Sequence, residues 1–184
     1  MEQSTRLPLR LPLVTVIGLL LLAGCGGGGG GGGGGGPAPT ASSPRYAYVA
    51  NNGDSSVSTY VVDAATGRLK FIGTVGAGTG PISVTVDPSG KYAYVANNSS
   101  DNVSQYTIGA GGGLTAMIPA AVAAGTKPFS VTVDPSGKYA YVANQGGNVS
   151  QYTIGAGGGL TAMTPATVAA GTSPVSVTTT GTWQ

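Results

Sequence analysis

The chain has 184 residues, only 8% of them charged, a formal net charge of +2 and no histidine. It carries no basic stripe, which argues against a nucleic-acid partner, because phosphate binding needs clustered Lys and Arg whose contacts release counterions. Of its eight Lys and Arg and six Asp and Glu, Arg6, Arg10 and Glu2 fall in the first forty residues. The six basic and five acidic residues that remain leave the rest close to neutral.

In chain order, residues 1–24 read as an export signal. Arg6 and Arg10 precede the apolar run LPLVTVIGLLLLAG, which is too short to span a bilayer comfortably and fits a secretory segment, with an uncleaved membrane anchor as the rival. The run ends in Leu22-Ala23-Gly24-Cys25, which resembles the bacterial lipobox. That resemblance implies acylation of Cys25, a stable hold on membrane lipid since two or more chains bind firmly, and a place in the bacterial envelope, at the outer membrane because no Asp follows the cysteine. Cys25 is the only cysteine, so no internal disulfide competes for it.

Residues 25–44 form the tether. An unbroken glycine run from Gly26 to Gly36 and the string PAPTASSP cannot bury apolar surface. As a Gly-rich coil this leash reaches about 25 Å.

From residue 45 onward the chain repeats itself. Tyr-Ala-Tyr-Val-Ala-Asn occurs at Tyr46, Tyr92 and Tyr139, 46 and then 47 residues apart, and SVTVDPSGKYAYVAN recurs letter for letter at Ser83 and Ser130. A period of this length suggests propeller blades. The middle copy divides into strands at Ile82 to Val86, Tyr92 to Ala96, Val103 to Ile108 and Leu114 to Val122. The DPSG turn from Asp87, the loop NNSSD and the turn GAGGG separate them. Tyr92 and Tyr94 point to one face and Ala93 and Val95 to the other, so both faces can stack on neighbours. The expected fold is all-β: three four-stranded antiparallel blades over residues 45–184.

The Tyr-Val-Ala-Asn strings at Tyr48, Tyr94 and Tyr141, with DPSGKYAYVAN around two of them, resemble the YVTN-type β-propellers and the seven-bladed lactonase-like family. The chain opens on a second-type strand and ends on a first-type strand, SPVSVTTTG from Ser173, which in a closed ring would complete a composite blade. Three blades are fewer than the four to eight with which propellers close. An open arc, a shortened derivative of a seven-bladed ancestor and a homodimer completing a six-bladed ring all follow from that shortage.

The resemblance implies lactone hydrolysis of the 6-phosphogluconolactonase type, which that family performs with acidic, His and Arg side chains near the central channel. This chain has no His, and its only Glu is Glu2. Asp87 and Asp134 are explained by their turns, and a nucleophilic Ser has no base beside it. Asp54 and Asp101 lie in oxygen-rich loops that lack calcium-loop spacing. The reading is therefore no catalytic residue, no metal and no cofactor.

A motif that recurs once per blade is framework, so a local function belongs where the copies differ. Those places put Asn52, Asp54, Asn98, Asp101, Lys127 and Gln145 on one rim as a candidate surface for a protein or glycan. The sequence-based conclusion is a tethered binding or structural module, with a lactonase-like hydrolase or a non-functional shortened propeller as alternatives. Trp183, just past the last strand, is expected to pack at the closing seam.

Overall fold

The computed structural model describes residues 45–181. The signal, Cys25, the tether and Trp183 lie outside the described residues. Eleven strands build three antiparallel sheets, and no helix occurs among the described residues.

The first sheet holds β1 (Arg45–Asn51), β2 (Ser56–Val62) and β3 (Leu69–Gly76). The second holds β4 (Pro81–Val86), β5 (Tyr92–Asn97), β6 (Asn102–Ile108) and β7 (Leu114–Ala123). The third holds β8 (Pro128–Val133), β9 (Tyr139–Asn144), β10 (Asn148–Ile154) and β11 (Leu160–Ala169). In each sheet, neighbours in sequence are neighbours in space. The strand limits of the middle sheet lie within one residue of those expected from the sequence.

The turns explain why the strands stop where they do. In the β4–β5 turn, Gly90 donates its N–H to the Asp87 carbonyl at 2.9 Å and adopts φ of 70°, a conformation glycine takes without steric cost. The Asp87 carboxylate accepts the N–H groups of Lys91 and Tyr92 at 2.9 and 2.8 Å, which starts β5. In the β6–β7 turn, Gly109 donates to the Gly113 carbonyl at 2.9 Å, while Gly112 has φ of 78°. A Cβ at Gly112 would run into the Tyr46 ring, so close approach of the first sheet also demands glycine there.

The core lies between sheets rather than inside one. One face of the middle sheet sends Ala93, Val95 and Tyr106 against Val57 and Tyr48 of the first. Its other face sends Tyr94, Ala96 and Val103 against Ala140, Val142 and Tyr152 of the third. Strand alternation alone produces this two-sided apolar sheet, and each fully buried Val or Tyr contributes about 1.5–3 kcal/mol of transfer free energy.

Among the described residues the first sheet has three strands, β1, β2 and β3, where the other two sheets have four. The segment 173–181, expected as a strand that would complete it, forms no ladder. It runs beside β8 instead: Val177 donates its N–H to Ser130 Oγ at 3.3 Å and Thr179 Oγ1 donates to the Val133 carbonyl at 3.2 Å. The first of these repeats the bond from Val131 N–H to Ser83 Oγ at 3.2 Å, by which β8 lies beside β4. Without neighbours of its own sheet, an extended segment has no backbone partners to make it a strand.

Candidate functional site

The up-and-down order of the strands gives the stack two rims. The β1–β2, β3–β4, β5–β6, β7–β8 and β9–β10 connections share one rim, which carries the six residues singled out from the sequence. The DPSG and GAGGG turns share the other.

Three of the six, Asp101, Lys127 and Gln145, are tied together, and Asn98 is held by other residues of the same rim. Lys127 donates its N–H to Asp101 Oδ1 at 2.7 Å, and Gln145 donates its N–H to the Lys127 carbonyl at 2.9 Å. Asn98 donates its N–H to the Gly80 carbonyl at 2.8 Å and its Nδ2 to the Pro128 carbonyl at 3.3 Å. Asn52 and Asp54 stand exposed in the β1–β2 loop, with no hydrogen bond to the other four among the described residues.

Backbone conformation accounts for part of the variation on this rim. Gly80, Lys127 and Ser173 occupy the same repeat position and all have positive φ, at 66°, 54° and 53°. Ser55, Asp101 and Gly147 do likewise at a second position, with φ of 49°, 51° and 88°. These are left-handed turn positions, where Gly, Asn and Asp are favoured and Lys and Ser carry strain. The Asp101 carboxylate compensates by capping the strained Lys127 amide. Varied identity at a fixed conformation was readable in the sequence, whereas its conformational cause was not.

Beneath the rim lie two polar side chains with no exposure, Asn97 and Asn144. Each Nδ2 is shared between a neighbouring Asn and a Ser: Asn97 donates to Asn102 Oδ1 and Ser104 Oγ at 2.7 and 2.9 Å, and Asn144 to Asn148 and Ser150 at the same distances. Their Oδ1 atoms are buried without a protein partner. They recur in register and so belong to the framework.

The opposite rim carries the grooves between adjacent sheets. A cavity of about 580 Å³ is lined by Arg45, Tyr46, Tyr48, Val86, Ile108 and Ala110. Its counterpart one sheet on, about 510 Å³, is lined by Asp87, Lys91, Tyr92, Lys138 and Ile154. Lys91 and Lys138 in that groove were not singled out from the sequence, because both follow the repeated DPSG turn and looked like framework. Here the acids are already committed to turns. Desolvation would raise the Asp134 pKa, but hydrogen bonds from the Ser136 hydroxyl and from the N–H groups of Tyr139, Ser136 and Lys138 outweigh it and hold the carboxyl below its ordinary value.

Among the described residues, β4 (PISVTV), β8 (PFSVTV) and residues 174–180 (PVSVTTT) carry no ionisable side chain. Burial raises the pKa of several tyrosines. Desolvation, and secondarily the Asp87 charge and Tyr92, raise the Tyr94 pKa strongly; desolvation likewise raises Tyr106 and Tyr152. Raised phenols stay neutral and donate hydrogen bonds, which is a structural task.

Stacked antiparallel sheets of three or four meandering strands, packed face to face around a common axis, are blades of a β-propeller. Residues 38–127 match the family model described as Lactonase, 7-bladed beta-propeller, and residues 130–149 match the LVIVD repeat. The likeness to lactonase-like propellers carried by the Tyr-Val-Ala-Asn strings is therefore shown.

Among solved structures, a candidate 6-phosphogluconolactonase from Bacteroides fragilis is 26% identical with a TM-score of 0.64, over 72% of this chain and 40% of that one. A periplasmic gluconolactonase from Pseudomonas aeruginosa is 19% identical with a TM-score of 0.61, over 70% of this chain and 38% of that one. A protein from Lactobacillus plantarum is 20% identical with a TM-score of 0.61, over 72% and 43%. The chain thus spans about two fifths of the length of these structures. No curated protein matches it.

Proposed function

We propose that this chain is a lipid-tethered propeller module of the bacterial envelope that binds a protein or glycan at its Asp101–Lys127–Gln145 rim, or serves structurally, without catalysis. The observation that carries this reading is the composition of the innermost positions. Activating water requires a group of suitable pKa facing the reacting centre. Strands β4 and β8 and residues 174–180 offer only Ser, Thr and apolar side chains besides their prolines. Fold likeness does not supply the missing group.

The second reading is a lactonase-like hydrolase, favoured by the family match over residues 38–127. The two separate on one assay. Purified full-length chain should leave gluconolactone and related sugar lactones hydrolysing at the buffer rate; turnover well above it, abolished by replacing one Asp, would establish the hydrolase instead. The tether is tested by metabolic labelling with a clickable fatty acid, which should mark the wild-type chain and not Cys25→Ala.

A further inference from the structure

We propose that the rim formed by the DPSG and GAGGG turns is the face this module lays against the membrane, where its lysines and arginines meet the phosphates of anionic phospholipid headgroups. This orientation rests on the lipid-tethered reading above.

Its starting point is a charge asymmetry that the chain acquires only on folding. The described residues hold six cations, scattered along the sequence. Five of them, Arg45, Arg68, Lys70, Lys91 and Lys138, lie at strand starts or turns of this one rim, and all five are exposed. Lys127 belongs to the opposite rim, together with Asp54 and Asp101. One rim is therefore net positive and the other net negative.

Three carboxylates share the cationic rim, and each is turned onto backbone N–H groups of its own loop. Asp63 accepts from Ala65 and Thr66, Asp87 from Ser89, Lys91 and Tyr92, and Asp134 from Ser136, Lys138 and Tyr139. With the acids held by amides and the cations on exposed stems, the field that the rim presents outward is positive.

The cations are also regularly placed. Arg45, Lys91 and Lys138 occupy one repeat position, immediately before the first tyrosine of each blade, so every blade presents one. Each lines a groove between sheets on this rim: Arg45 the groove of about 580 Å³, Lys91 and Lys138 the groove of about 510 Å³. Arg68 and Lys70 have Gly113 and Thr115 as their equivalents in the second blade, so the first blade carries three cations.

The point where the tether joins favours a lipid surface over other polyanions. Residues 25–44 lead directly into Arg45, so the leash enters the domain on the cationic rim and at its most cationic blade. A Gly-rich leash reaching about 25 Å holds that rim at high effective concentration over lipid. Basic residues near an anionic leaflet are each stabilised by its surface potential. Because the anchor already supplies the encounter, a modest field is enough to choose which rim faces the headgroups. The Asp101–Lys127–Gln145 rim is then turned away from lipid, toward the partner proposed for it.

The test reconstitutes the full-length chain into vesicles of phosphatidylcholine, alone or mixed with phosphatidylglycerol. A photo-crosslinking side chain is placed at Gly111 on the cationic rim or at Gly53 on the opposite one, both exposed positions where a Cβ meets nothing within 4 Å. Lipid adducts are then counted by mass spectrometry. With phosphatidylglycerol present, the Gly111 position should give about tenfold more adducts than the Gly53 position. The excess should vanish on phosphatidylcholine alone, in high salt, and in the combined variant Arg45→Gln, Arg68→Gln, Lys70→Gln, Lys91→Gln and Lys138→Gln, whose circular dichroism spectrum should be unchanged. Equal yields from the two rims on phosphatidylglycerol vesicles overturn the proposal, and retention of the chain on a polyuronate column would then assign the rim to an acidic glycan. An excess that survives the five substitutions, or a chain that binds neither vesicle, overturns it too. Fatty-acid labelling of the same samples separates the two readings. A labelled chain with equal yields refutes the orientation alone, whereas an unlabelled chain with the Gly111 excess refutes acylation and keeps the orientation.

Discussion

Tyr94 and Gly158 stand 64 residues apart in sequence and are joined by a 2.6 Å hydrogen bond from the tyrosine hydroxyl to the glycine carbonyl, at a buried position between the second and third sheets. Tyr48 and Gly112 repeat the bond at the same separation. The apolar ring fills the space between sheets and the hydroxyl fixes their register, so one side chain performs both tasks. Tyr94→Phe keeps the packing and removes the donor, leaving a buried carbonyl unpaired. The expected loss is about 1–3 kcal/mol in urea unfolding, with an unchanged m-value.

Gly158 has φ of 81°, and a Cβ there would run into the Tyr92 ring. Gly157, its neighbour, has open space and no positive φ. Gly158→Ala should therefore cost about 2–4 kcal/mol, summing left-handed strain and overpacking, while Gly157→Ala should be neutral or slightly stabilising. Thermal unfolding of the two variants side by side measures the contrast.

Lys127 holds φ of 54° at a position where its repeat equivalent is Gly80. Lys127→Gly relieves the strain at the cost of a freer unfolded chain, so a net gain of about 0.5–1 kcal/mol is expected from chemical denaturation. Asp101→Ala removes the acceptor of the strained Lys127 amide and should act in the opposite direction.

The pH response has two limbs. Asp134 and Asp63 have pKa values held below the ordinary 3.8, Asp63 chiefly by the Thr66 hydroxyl and N–H. A depressed carboxyl stabilises the fold above its unfolded pKa, and that contribution is lost as pH falls from about 4 through the folded values. The buried tyrosines behave inversely. Tyr48, Tyr94, Tyr106 and Tyr152 have pKa values raised above 10.0, so their contribution is complete below pH 10 and is lost as pH rises further. Ionisation of these four phenols, followed by tyrosinate absorbance, should come as a cooperative step above pH 10 that coincides with loss of the β-sheet circular dichroism signal. Asp134→Asn should flatten the acid limb without moving the alkaline one.

Much of this architecture is written locally. Alternation in Tyr92–Asn97 decides which side chains face which way, and Asp87, Pro88 and Gly90 decide where the chain reverses, because period-two geometry and allowed φ act within a few residues. The repeats then make three blades readable from identity alone. What the local chain leaves open is the partner of each group. That Tyr94 reaches Gly158 and Tyr106 reaches Gly76 follows from how sheets stack, a property of their twist and of the whole array. The same holds for the candidate rim. Its loops could be located from their differences, but the bond between Asp101 and the Lys127 amide depends on two connections 26 residues apart meeting in space. Residues 173–181 show the limit most plainly: they have the composition of a strand, yet a strand exists only where another edge supplies its hydrogen bonds, and no stretch of sequence carries that edge within itself.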